Sequence, residues 1–204
     1  EQLLQDARSM LSERAWKYSR YARRALWVGV DPNKGKSGGK SNRNEAEAKV
    51  VLEELQHFVD WAQDHIRRDR QGKEKPWEVA VLTYYRGQEA LFRERLQYLC
   101  RQYGNTRNFQ LPRGHHAVHV TLCTVDRFQG HEADIIFLSF VKSGSVGFLN
   151  SPNRLNVALT RARYQIVLVG HQAYFSSERC PSDLLRAVAT SAHYKGDIKW
   201  ESQP

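Results

Sequence analysis

Residues 153–170 read NRLNVALTRARYQIVLVG. Leu155, Leu159 and Ala162 recur at helical spacing and form one apolar stripe, while Arg154 and Arg161, seven positions apart, share another face. The stretch closes on QIVLVG, an apolar run without polar alternation, as in a strand covered on both faces. A helix that feeds directly into such a strand is pinned to a sheet, and its arginines are held in place. Arginines at this spacing usually make a solvated face. A fixed arginine is also what phosphoryl transfer needs, because its planar fork stabilises charge developing on a γ-phosphate.

Four more apolar runs lie upstream: ALWVGV at 25–30, VAVLTY at 79–84, HVTLCTV at 119–125 and DIIFLSF at 134–140. Helical patterns separate them. From Asn44 the apolar positions Ala48, Leu52, Leu55, Val59, Ala62 and Ile66 recur at three and four. Asn44 is a fitting N-cap, with Glu45 and Glu47 in the positively polarised first turn. A second helix runs from about Gln88, with Phe92, Leu96, Leu99 and Tyr103 on one stripe and Gly104 as its stop. Strands alternating with helices predict an α/β fold, a mostly parallel sheet sandwiched by helices. Residues 105–117 read as an exposed loop, and residues 1–22 as an N-terminal helical segment before a main domain at 23–204. Only DRFQGHEA separates the third and fourth runs, whereas a parallel crossover usually takes a dozen residues or more. That pair is therefore either antiparallel or joined by a single helical turn.

Composition narrows the function classes. The chain has 204 residues, 41% of them hydrophobic, which suits one domain with its own core and excludes wholesale disorder. No apolar run approaches the ~20 residues that cross a bilayer, and EQLLQDARSML has no signal-peptide pattern. The start at Glu1 reads as a piece of a longer protein. A net charge of +9, spread along the chain, suggests a polyanionic partner, nucleic acid first. Cys100, Cys123 and Cys180 are odd in number and far apart, which fits a reducing intracellular compartment better than disulfides or zinc. His115, His116 and His119 have no Cys or carboxylate at ligand spacing, so no metal site is assigned. The loop GKSGGKS at 35–41 imitates a phosphate-binding loop, but the required first glycine falls on Lys34. It reads as a flexible basic surface loop, and a small P-loop kinase has no other support.

The remaining chemistry lies in TVDRFQGHEADIIFLSF, residues 124–140, where polar groups fill the loop between two strands. Thr124 offers a hydroxyl, Gly130 permits close backbone approach, and Gln129 and Glu132 can hydrogen-bond a ligand. A capped turn built on Asp126 and Glu132 accounts for the same residues.

Together the two stretches resemble motifs V and VI of superfamily 1 helicases, in the branch containing the RNA-surveillance helicase, senataxin and bacterial relatives. Thr124–Glu132 is similar to motif V, and Arg154–Arg163 to motif VI. VLTYYRGQ at 81–88 resembles motif IV, with Tyr84 where that motif has proline, and Asn44–Ala48 resembles the family's helix opening. The resemblance spans roughly residues 25–175 and implies the second RecA-like domain, a P-loop NTPase fold without its own P-loop. It makes the short third-to-fourth link a tight one within a parallel sheet. It implies Arg161 as the arginine finger, and Gln129, Gly130, Glu132 and Arg154 facing ATP with Mg2+, most of which the first domain would hold. Thr124, Gln88 and Tyr85 would meet single-stranded DNA or RNA. The implied partner is an N-terminal RecA-like domain of the same parent protein, inside the cell and off the membrane. Two readings follow: the C-terminal motor half of an ATP-dependent helicase or translocase, or a non-catalytic nucleic-acid-binding module of the same fold.

Overall fold

A computed structural model describes residues 18, 20, 21, 23–31, 42–111, 117–142 and 151–198. The GKSGGKS loop, His115, His116 and most of the N-terminal helical segment lie outside the described residues.

The strands are β1 (Ala25–Val30), β2 (Arg67–Arg68), β3 (Glu74–Lys75), β4 (Trp77–Thr83), β5 (Asn108–Leu111), β6 (Val118–Thr124), β7 (Ala133–Ser139), β8 (Ala162–Gly170) and β9 (His193–Ile198). Seven of them form one sheet in the order β5-β6-β4-β7-β8-β1-β9, and β2 and β3 make a separate small hairpin. Every pairing in the large sheet is parallel except the edge pair β5–β6. The five apolar runs are β1, β4, β6, β7 and β8, and β1 and β7 are buried along their whole length.

Alternate residues of these strands enter two separate cores. Trp27, Leu82, Leu138 and Leu168 pack beneath α3 (Pro152–Thr160), α4 (Gln172–Phe175) and α5 (Asp183–Ser191). Val28, Val81, Phe137 and Val167 pack beneath α1 (Glu45–Asp64) and α2 (Arg86–Cys100). Both faces are thus covered, which is why the runs do not alternate in polarity.

Asn44 caps α1 as expected, its side-chain oxygen accepting from the Glu47 amide at 3.0 Å. Ile66 lies beyond the helix and is exposed. In α2 the expected stripe holds only for Phe92 and Leu96. The buried line then continues four residues on to Cys100, leaving Leu99 and Tyr103 exposed. Arg101, at φ 50°, ends α2 in the left-handed conformation three residues before Gly104. Part of the expected 105–117 loop is β5, whose Phe109 and Leu111 point inward while Asn108 and Gln110 face out. The disputed junction is a parallel crossover: β6 and β7 both flank β4, and one 3-10 turn, Val125–Phe128, opens the link.

Candidate functional site

Strand register divides the expected site residues between the two ends of the sheet. Thr83 is level with both Thr124 and Ser139, so these three close the carboxyl ends of β4, β6 and β7. Ala133 is level with Ala162 at the amino ends of β7 and β8. Thr124 and Glu132, eight residues apart in sequence, therefore lie at opposite ends.

At the carboxyl end, α2 leaves β4 on one face and α3 leaves β7 on the other. Such a reversal is where open α/β sheets form a ligand crevice. Thr124 is buried here without a side-chain cap bond, and Tyr85 is buried with the Lys142 ammonium 5.4 Å from its ring centre. Behind them lies a polar knot. Glu47 is buried and accepts from the Ser139 hydroxyl at 2.7 Å, the Val141 amide at 2.8 Å and the Asn44 side-chain amide at 3.1 Å. Burial pushes its carboxyl up to about 7, although Ser139 and the Val141 and Phe140 amides pull the other way. Val141 donates to it from a left-handed conformation, φ 68°, which a β-branched residue adopts only under constraint.

Gln88 completes this knot and is corrected by it. Its amide oxygen accepts from the Asn44 amide at 2.7 Å, and its nitrogen donates to the Asn44 carbonyl at 3.0 Å and to Ser139 at 3.2 Å. With 0% exposure, it joins α2 to α1 and β7 and has no surface to offer a strand.

The amino end is ionic. Asp134 has 0% exposure and accepts from Arg67 at 2.8 Å, Arg163 at 2.9 Å and the Glu78 amide at 2.9 Å. Arg163 also reaches Glu132 at 3.2 Å. Arg161 ends α3 beside them, its carbonyl accepting from the Ala133 amide at 3.1 Å. Its guanidinium Nε is buried and has no hydrogen-bond partner among the described residues. Gly130, at φ 87°, turns the chain into this end, and Gln129 just before it is exposed. Arg154 stays away from this group. Seven residues back on α3, about 10 Å along the axis, it pairs with Asp126 at 2.8 Å, near Thr124.

The amino end thus collects Arg161 and Glu132, with Gln129 and Gly130 on the link that leads to it, while Arg154 joins Thr124 and Tyr85. Glu47, Ser139, Asp134, Arg67 and Arg163 were absent from the expected set. Asp134 had a readable signal, a carboxylate opening a solid apolar strand. Glu47 had a weaker one, since it shares a helical stripe with the core residues Val51 and Phe58. No group of three His, Cys, Asp or Glu among the described residues could hold a metal ion.

A mostly parallel sheet covered by helices on both faces, with a crevice at its carboxyl end, defines the class, an α/β fold of RecA-like type. Residues 1–173 match the model of a family described as "AAA domain", and the chain belongs to that family. It is 38% identical over 114 residues to a Regulator of nonsense transcripts 1 homolog of Drosophila melanogaster, covering 54% of this chain and 9% of that protein. It is 40% identical over 100 residues to the ATP-dependent helicase NAM7 of Saccharomyces cerevisiae, covering 48% of this chain and 9% of that protein. The chain thus spans under a tenth of these relatives. Its fold is similar to the crystal structure of the C-terminal domain of a possible DNA helicase from a Lactobacillus, with a TM-score of 0.50, 14% identity and 96% coverage of both chains.

Proposed function

We propose that this chain is the C-terminal motor half of an ATP-dependent nucleic-acid helicase or translocase, acting with a first RecA-like domain of its parent protein. The observation that carries the reading is Arg161, fixed where α3 meets β8, with a buried Nε donor that has no partner among the described residues. A guanidinium held in that state is suited to charge that appears only when a nucleotide is present. Glu132 and Gly130 border the same end. Thr124, Tyr85 and Arg154 at the other end suit the backbone of a single strand of DNA or RNA. Magnesium and most of the ATP would be held by residues of the first domain, and this chain alone should not hydrolyse ATP.

The test is Arg161→Ala in the parent protein. Single-turnover ATP hydrolysis should fall by about 10³–10⁵ while ATP affinity changes little, because a finger arginine acts mainly on the transition state. Arg161→Lys should rescue little, since an ammonium lacks the planar fork. Hydrolysis near the parental rate in Arg161→Ala would falsify the motor reading and leave the non-catalytic binding module.

A further inference from the structure

Where α1 ends and β4 begins, a cleft of about 780 Å³ opens at the amino end of the sheet, on the α1 face. One wall is aromatic. The exposed His65 ring stacks on Trp61 with centres 4.2 Å apart and planes 12° from parallel. Trp77 lies 5.6 Å from Trp61 and donates its indole N–H to the His65 carbonyl at 2.8 Å. Tyr164, 39% exposed, lines the cleft from β8. The other wall is the β2–β3 hairpin, which brings Arg67, Arg68 and Arg70 to the cleft. Arg67 is committed to Asp134 and to the face of Trp77, 5.7 Å away. Arg68 pairs on the surface with Glu74 at 2.7 Å, a contact that water and salt weaken. Arg70 is exposed and has no ion pair among the described residues.

We propose that this cleft is a second binding site for a single strand of DNA or RNA, in which an unpaired base stacks on the outer face of the His65 ring, itself backed by Trp61, and its phosphates meet Arg70 and Arg68. Stacked rings beside exposed cations are the combination that holds unpaired nucleic acid. An acidic peptide would satisfy the arginines and leave the rings unused. The net charge of +9 favours a polyanion in either case. Six residue steps along β4, from Trp77 to Thr83, separate this cleft from the Thr124 end, about 20 Å, so the two sites are distinct. The proposal does not depend on the motor reading, because binding here needs neither ATP nor Arg161.

The experiment uses this chain with two probes of equal length, an oligonucleotide and a chain of abasic sites. Arg68→Ala/Arg70→Ala should weaken oligonucleotide binding about tenfold and reduce the slope of log affinity against log salt by about two phosphates' worth. His65→Ala should weaken oligonucleotide binding about fivefold to tenfold and leave abasic binding unchanged, since stacking needs the base. All three side chains are exposed, and circular dichroism checks that each variant is folded. Photocrosslinking of a halogenated-uracil oligonucleotide to the unaltered chain should mark peptides within 61–77 as well as those at the Thr124 end. Unchanged affinity in both variants, or crosslinks at the Thr124 end alone, overturns the site. Equal binding of an acidic peptide, insensitive to His65→Ala, also overturns it and makes the cleft a protein-docking surface.

Discussion

At the carboxyl end of the sheet Glu47 is buried among neutral donors, a hydroxyl and two amides. At the amino end Asp134 is buried between two guanidinium groups, those of Arg67 and Arg163. Both carboxyls are removed from water, yet only one has opposite charge to compensate. Glu47 is consequently pushed up to about 7, so it can take up a proton near neutral pH. The amino end instead is a lattice of paired charges, Arg67 and Arg163 with Asp134 and Glu132, next to the backbone of Arg161. An ionic scaffold thus stands at the end that the proposed function assigns to a phosphate, and a protonatable knot stands where the backbone is bent at Val141.

The predictions test this contrast, after the loss of hydrolysis expected for Arg161→Ala as the largest effect. Asp134→Ala should destabilise the chain by about 2 kcal/mol, because the Glu78 amide and Arg67 lose a buried acceptor, while Arg163 keeps Glu132. Urea unfolding measures it, and a loss below ~1 kcal/mol would mean the lattice is not what anchors β7. Arg163→Ala should act in the same assay, since Arg163 braces Glu132 and Asp134.

The next effect is a pH dependence. Glu47 ionises near 4.5 when unfolded and near 7 when folded, so between these values the native chain binds more protons. Its contribution to stability therefore falls as pH rises through that window, by about 2 kcal/mol between pH 5 and pH 8. Comparing urea midpoints of the parent chain and Glu47→Gln at the two values separates the effect of Glu47 from that of His119, which its hydrogen bond to Glu78 raises. Parallel pH profiles would dissolve the contrast between the ends. The smallest effect is Gly130→Ala. A Cβ there meets nothing within 4 Å, so only the φ of 87° resists it, at about 1 kcal/mol in thermal unfolding.

Much of the fold was legible because its strands are covered on both faces and read as solid apolar runs. β9 was not: HYKGDI is polar and contains a glycine, and pairing with β1 alone makes it a strand. β5 was hidden among turn-forming residues, with only Phe109 and Leu111 to mark it. The site residues at 124–132 were visible as a polar loop, and their separation was not. Neighbours in sequence become opposite ends because β6 and β7 run parallel on either side of β4, and that is a fact of pairing. Gln88 misled for a related reason, because a buried amide that bridges two helices has the same sequence signature as one aimed at a ligand.

The link from Thr124 to Ala133 has a mechanical consequence. It must descend the sheet by about 20 Å and move sideways by two strand spacings, a straight path of about 22 Å. With four of its residues wound in a 3-10 turn, its full reach is about 25 Å. The segment is therefore a strut with a few ångströms of slack, anchored by Val125 and Phe128 under α3. A pull at Thr124 that exceeds this slack must either unwind the turn or move Glu132, which puts the two ends of the domain in series along one short piece of chain.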